Sequence, residues 1–123
     1  MTRILAPALA LVLAACARFP DPAALPGTYR SARAPATLEL RDGTWRLESG
    51  SLIKEGVYQI SGDRVAFVIT DVNHAAYSTY CRDEADVYRW APRDETVTFR
   101  QVGETCDPVG ASVLIAGPWE RAG

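Results

Sequence analysis

The chain has 123 residues, with 13 basic side chains, 15 acidic side chains, one histidine and a formal net charge of −2. This length suits one small domain. Since no segment concentrates basic residues, the sequence lacks the electrostatic signature of phosphate binding, and we expect no nucleic-acid partner.

An apolar segment at the N-terminus ends in a cysteine. Met1-Thr2-Arg3 is a short basic region, and residues 4–14 are apolar apart from the interruption at Pro7. The run is too short to cross a bilayer, which takes roughly 20 apolar residues, and has the length of the hydrophobic region of a cleavable signal. Leu13-Ala14-Ala15-Cys16 resembles the lipobox of bacterial lipoproteins.

That resemblance implies that residues 1–15 are a signal peptide and that Cys16 is lipidated and becomes the new N-terminus. The several acyl chains of such a modification would hold the protein stably on a membrane of the bacterial envelope. In such lipoproteins an aspartate directly after the lipidated cysteine commonly signals retention at the inner membrane. This chain has Ala17 at that position, so we expect the outer membrane, on its periplasmic side. The alternative is an ordinary signal peptide that leaves Cys16 free.

Two other cysteines remain, Cys81 and Cys106. In an oxidising compartment an even pair favours one disulfide, which would contribute about 3 kcal/mol by restricting the unfolded chain. A metal site or a reactive thiol is the alternative. The absence of a CxxC motif and the single histidine of the sequence disfavour it.

Residues 16–26 are rich in proline and small residues, which predicts a tether between Cys16 and the folded domain. Ordered structure is expected from Gly27, and residues 27–123 are predicted to form the domain.

The domain has the alternating pattern of β-strands. Residues 37–41 and 44–48 alternate apolar with polar side chains, and Asp42-Gly43 between them is a strong signal for a two-residue hairpin. Further strands are predicted at residues 56–60, 64–70, 85–90 and 96–102, and a closing strand at 118–121. Residues 71–78 are predicted to be a loop, and 107–114 either a short helical turn or a loop.

Seven or eight short strands separated by turns indicate an antiparallel barrel or sandwich. A barrel is favoured because closure removes the exposed strand edges. Gly27-Thr28-Tyr29-Arg30 resembles the first strand of lipocalin-like (calycin) domains, and the order of Cys81, Tyr88-Arg89-Trp90, Cys106 and Trp119 is similar to small bacterial members. The resemblance implies an all-β, seven- to eight-stranded lipocalin-like barrel with one disulfide. It also implies that a basic residue near the last strand, here Arg121, packs across Tyr29.

A catalytic site is not expected. His74 could act as a base oriented by Asp71, with Ser78 or Thr79 as nucleophile, but the sequence has no nucleophile-turn motif such as G-x-S-x-G. A metal site on His74 would need further ligands, and none has a recognisable spacing. We therefore expect a non-enzymatic protein without metal or cofactor.

An acidic cluster, Asp83, Glu84 and Asp86, stands beside Cys81. It could bind Ca²⁺, although the EF-hand spacing is missing, or form a rim that faces a basic protein. A solvated loop is the favoured interpretation.

The ten aromatic residues of the predicted domain fall mostly on the inward phase of its strands. They could line a pocket for a small ligand or simply fill a barrel of this size, and size alone favours the filled core. If a pocket exists, the side chains predicted to bind the ligand are Arg30, Trp45, Tyr58, Phe67, Tyr88 and Trp90.

These features predict a lipid-anchored binding module for a small apolar or amphipathic ligand. Small disulfide-bonded barrel lipoproteins that inhibit proteases or lysozyme are similar in size, anchor and bridge, so a protein-binding inhibitor of a secreted hydrolase is the alternative. A structural envelope component with protein partners is a third possibility.

Overall fold

The computed structural model describes residues 19–73, 81 and 84–122. Eight antiparallel strands form a closed barrel in which each strand pairs with its neighbours in the chain and β8 pairs with β1. The strands are β1 (Gly27–Ser31), β2 (Ala36–Arg41), β3 (Thr44–Ser49), β4 (Leu52–Ser61), β5 (Arg64–Val72), β6 (Ala85–Arg93), β7 (Thr96–Val102) and β8 (Trp119–Arg121). One helix, α1 (Pro108–Leu114), lies between β7 and β8. The predicted all-β barrel is confirmed.

The barrel has two different ends. Two-residue turns at 42–43, 62–63 and 94–95 join alternate strand pairs at one end, which we call the turn end. Asp42, Gly62 and Asp94 each open their turn with a positive φ of 51°, 62° and 56°, as tight hairpins require. At the opposite end, the loop end, β5 ends and β6 begins, and the described connections there are 32–35, 50–51 and 103–118, the last of which contains α1.

The strand boundaries differ from the predicted ones where proline or a charged residue obscured the pattern. β4 begins at Leu52 rather than Gly56, and β5 continues to Val72. β6 runs to Arg93 through Pro92. A proline fits there because β6 pairs with β5 only from Ala85 to Arg89, so Pro92 has a strand neighbour on one side alone.

Inward side chains from every strand fill the core, and alternate residues are exposed, as in β2 with its buried Ala36, Leu38 and Leu40. A β-bulge between Glu55 and Gly56 shifts the pairing of β4 with β5.

A disulfide joins Cys81 to Cys106, with a Cα–Cα distance of 5.5 Å, and confirms the predicted pairing. It links the connection between β5 and β6 to the connection between β7 and β8. Both long connections of the loop end are therefore tied to each other.

The segment before β1 packs on the barrel, although the sequence predicted a tether there. Pro22–Ala24 form a 3₁₀ turn, which Asp21 caps by accepting a hydrogen bond from the Ala23 N–H at 3.0 Å. Leu25 is 1% exposed, and its carbonyl accepts a hydrogen bond from the Tyr29 hydroxyl. Burial of Leu25 helps to hold this proline-rich segment at the turn end.

Candidate functional site

Aromatic side chains from adjacent strands form the centre of the barrel. The ring centroid of Phe67 lies 5.5 Å from that of Trp45, 5.8 Å from Tyr88 and 6.1 Å from Phe99, each in an edge-on arrangement. Tyr58 is half-buried beside them, with its centroid 6.3 Å from Phe67. Such edge-to-face packing is the preferred geometry of aromatic pairs.

A small cavity of about 20 Å³ remains between this cluster and the loop end. Trp45, Phe67 and Tyr88 line one side of it, and Lys54 and Asp107 line another. About one water molecule fits such a space, whereas ligand pockets measure about 300–1,000 Å³. Within the described residues, the aromatic cluster fills the barrel rather than lining a pocket.

The loop-end side of the cavity is polar. Lys54, the only lysine in the sequence, projects from β4 and is 1% exposed. Its ammonium lies 2.5 Å from a carboxylate oxygen of Asp107, whose side chain is 12% exposed. A buried ion pair therefore connects the barrel wall to the residue that precedes α1.

Asp107 also caps α1. Its Oδ1 atom accepts a hydrogen bond from the Gly110 N–H at 3.1 Å, while Oδ2 faces Lys54. A Cβ atom at position 110 would collide with Oδ2 of Asp107 and lie 3.3 Å from the Lys54 ammonium. Glycine at this position permits the close approach of helix and ion pair.

Asp86 organises the chain that leads into α1. It accepts hydrogen bonds from the Thr105 hydroxyl at 2.7 Å, the Cys106 N–H at 2.8 Å and the Asp107 N–H at 3.2 Å. These three donors compensate the burial of its carboxylate, which is 9% exposed. For Asp86 the favoured interpretation, a solvated loop, is wrong, and so is a rim that faces a basic protein, because its side chain points inward from β6.

Tyr88 lies between the aromatic cluster and this network. Desolvation by burial raises its pKa to about 12, with a smaller opposing effect of its hydrogen bond to Thr105. The phenol thus stays neutral over the whole physiological range of pH.

Four of the six predicted ligand-binding residues lie at the cavity or in the aromatic cluster beside it. Trp45, Phe67 and Tyr88 line the cavity, and Tyr58 packs beside Phe67. Trp45 is held by hydrogen bonds from its indole N–H to the Val57 and Val68 carbonyls, at 3.0 Å and 3.1 Å, across the bulge.

Trp90 and Arg30 lie elsewhere. Trp90 is 2% exposed near the turn end, where its indole N–H donates to the Gly62 carbonyl. Arg30 is exposed on the outer face of β1, opposite Glu120 of β8, and lines a shallow outer groove of about 470 Å³ with Glu120 and Arg121.

The ion pair itself was not predicted from the sequence. Lys54 has the same inward phase as Tyr58 and Ile60, but the predicted strand began at Gly56 and excluded it. Extending the alternation of β4 by two residues would have placed this lysine in the core.

Several predicted features lie outside the described residues. They are the lipidation site Cys16, His74 with the candidate nucleophiles Ser78 and Thr79, and the acidic residue Asp83. Glu84, the remaining member of the acidic cluster, is exposed.

No protein-family model matches the chain, and neither a curated protein nor a solved structure matches it. Across residues 19–73, 81 and 84–122, no helix is long and apolar enough to cross a membrane. The same residues contain no group of three or more histidine, cysteine, aspartate or glutamate side chains placed to hold a metal ion.

Proposed function

We propose that this protein is a lipid-anchored, non-enzymatic binding module of the bacterial envelope, and that its partner is a protein held at the loop end. The observation that carries the proposal is the filled interior. Among the described residues the interior cavity measures about 20 Å³, which favours the outer surface as the place for recognition.

A lipocalin-like barrel is part of the proposal. Arg121 lies over the ring of Tyr29, with Cζ 5.0 Å from the ring centroid, and donates a hydrogen bond to the Tyr29 hydroxyl at 2.9 Å. The calycin resemblance predicted this contact. The consecutive order of strands around the barrel supports the same relationship.

The loop end has the properties of a recognition surface. It holds the long connections, and binding residues concentrate on loops that a rigid scaffold supports. Val109 and Ile115, on and just after α1, are 39% and 44% exposed, so the helix presents apolar side chains to solvent. The disulfide and the Lys54–Asp107 pair hold this helix in place, which lowers the entropy cost of binding.

The lipid anchor is proposed from the resemblance of Leu13-Ala14-Ala15-Cys16 to a lipobox. A non-enzymatic role is proposed because the buried Lys54, Asp86 and Asp107 are engaged with one another and with backbone donors. An inhibitor of a secreted hydrolase is the form of protein binder that the sequence first suggested, and it fits a rigid anchored barrel.

Native mass spectrometry of the chain from residue 17, exported to an oxidising compartment without its anchor, tests the filled interior. We expect the polypeptide mass less two protons for the disulfide. An additional mass that disappears on denaturation would contradict the proposal. It would instead support the small apolar or amphipathic ligand that the aromatic residues first suggested.

Photo-crosslinking from the intact cell envelope tests the partner. A crosslinking residue at Val109 or Ile115 should capture a defined protein, and the same residue at Arg100, exposed on β7, serves as the matched control. Equal capture from all three positions, or capture only from Arg100, would contradict a binding surface at the loop end.

A further inference from the structure

We propose that the turn end of the barrel is a membrane-contact surface, so that the anchored protein stands with its loop end directed away from the bilayer. The inference rests on the proposed lipid anchor at Cys16. It adds which face of the barrel meets the lipid headgroups.

The covalent distance from the anchor to the fold is short. Cys16 and Phe19 are separated by three residue steps, and consecutive Cα atoms are 3.8 Å apart, so their Cα atoms lie within about 11 Å of each other in any conformation. The position of Phe19 therefore determines which part of the barrel approaches the membrane.

Phe19 lies at the turn end. Its ring covers the 62–63 turn, where a Cβ atom added to Gly62 would lie 3.6 Å from Cδ1 of Phe19. The residues that follow are attached to the same end, because Leu25 is buried and Arg121 donates hydrogen bonds to the Ala24 and Pro26 carbonyls at 2.9 Å and 3.0 Å. The anchor segment is thus fixed to the barrel and does not act as a long flexible arm.

The side chain of Phe19 suits the membrane interface. It is 66% exposed, the most exposed large apolar side chain among the described residues. Exposed aromatic rings gain free energy when they enter the headgroup region, and a lipid chain beside one adds a second attachment.

The charges of the turn end are balanced. Each two-residue turn places one arginine next to one aspartate, in Arg41-Asp42, Asp63-Arg64 and Arg93-Asp94. The third turn also contains Glu95, whose carboxylate lies 3.9 Å from the guanidinium of Arg121. Because neither sign dominates, contact with the bilayer does not require anionic lipid. The orientation should be the same in zwitterionic and anionic membranes and at low and high salt.

The loop end is too far from the anchor to contact the bilayer in place of the turn end. The ten residues of β4 rise about 3.3 Å each, and with the usual tilt of barrel strands they separate the two ends by about 25 Å. A connection of about 11 Å attached to the turn end cannot bring α1 to the bilayer with the barrel upright. Val109 and Ile115 consequently remain available to a protein partner.

The test uses the full lipidated protein, isotope-labelled, purified from the envelope and inserted in lipid nanodiscs. Mass spectrometry of the N-terminal peptide first establishes the lipid on Cys16. A small fraction of lipid with a gadolinium chelate on its headgroup then broadens the amide signals of residues near the membrane surface. We expect signal loss at 42–43, 62–63 and 94–95, and retained signals at 110–115, in both zwitterionic and anionic nanodiscs.

Two variants sharpen the test. Phe19→Ser should reduce the difference in signal loss between the two ends, whereas the matched variant Ile115→Ser should leave it unchanged. Lipidated protein with equal loss at both ends, or with loss only at 110–115, would overturn the orientation and leave the anchor standing. An N-terminal peptide without lipid would overturn both the anchor and the orientation.

Discussion

The single lysine of this chain is buried, while every other cation in the sequence is an arginine. A lysine ammonium is compact and carries its charge at one point on a flexible stem, unlike the broad planar guanidinium of arginine. The space beneath α1, where Asp107 and Gly110 approach each other closely, suits the smaller group. This difference in size explains the residue type at position 54.

Removing one partner of the ion pair should be costly. Lys54→Met leaves the Asp107 carboxylate buried without its cation, and we expect a loss of about 3–5 kcal/mol in the free energy of unfolding. The double variant Lys54→Met/Asp107→Asn should recover most of this loss, because it removes both charges and asparagine still caps α1. Urea denaturation measures the free energy of unfolding of both variants. Arg100→Met, at an exposed position, is the control and should stay within about 0.5 kcal/mol of the parent protein. Equal losses in the single and double variants would contradict this account.

Tyr88 gives the barrel a dependence on alkaline pH. Its pKa is about 12 in the folded protein against an ordinary value of 10. The contribution of Tyr88 to the free energy of unfolding is therefore fully present below pH 10. It declines as the pH rises toward 12, because Tyr88 loses its proton in the unfolded chain before it does so in the folded protein. One such group contributes a slope of up to about 1.4 kcal/mol per pH unit. Urea denaturation from pH 9 to 12 should show a shallower decline for Tyr88→Phe, and parallel curves would contradict the assignment.

At the scale of elements, the segment before β1 depends on one side chain from the last strand. Arg121 bonds to two carbonyls of the segment and to Tyr29, and a Cβ atom at position 27 would collide with its guanidinium. Glycine at the start of β1 is needed because the arginine lies across the backbone there. The Gly-x-aromatic pattern and the distant arginine are thus two parts of one contact.

Arg121→Ala should release this segment. We expect a loss of about 2 kcal/mol, from hydrogen bonds that involve a charged donor and are partly exposed to solvent. Amide hydrogen exchange at Ala24 and Leu25 should accelerate more than exchange in β4. Uniform acceleration throughout the barrel would show that Arg121 supports the whole fold instead of this segment.

The disulfide holds the connections of the loop end, as Arg121 holds the segment before β1. Cys81→Ser/Cys106→Ser removes a link between residues 25 apart in sequence, and we expect a loss of about 3 kcal/mol. Since Asp86 still binds the Cys106 backbone, α1 should remain helical in the variant. Guanidinium denaturation gives the free energy, and the exchange rates of residues 111–114 report on the helix. Loss of α1 in the variant would contradict independent roles for the two links.

At the scale of the whole molecule, local patterns predicted most of the barrel. Alternation and the Asp42-Gly43 turn are properties of neighbouring residues, so the sequence contains them directly. The contact of Arg121 with Tyr29 followed from a resemblance and is confirmed. The ion pair of Lys54 and Asp107 was not predicted because it joins positions 53 residues apart, and the sequence around neither residue indicates its partner.

The state of the interior also required the structure. Inward aromatic side chains have the same sequence pattern in a filled barrel and in a hollow one. Only the placement of Phe67 against Trp45, Tyr88 and Phe99 shows that the centre is occupied by the protein itself.

The order of the strands has a consequence for how the protein folds. Seven of the eight strand pairings join consecutive strands and form by short-range zipping, which is fast. The eighth joins Tyr29 to Arg121, so the first strand keeps one edge without a partner until the three-residue β8 pairs with it. Molecules in which β8 has not yet paired expose that edge to other chains, and the time that β8 takes to close the barrel sets how long the folding protein is vulnerable to aggregation.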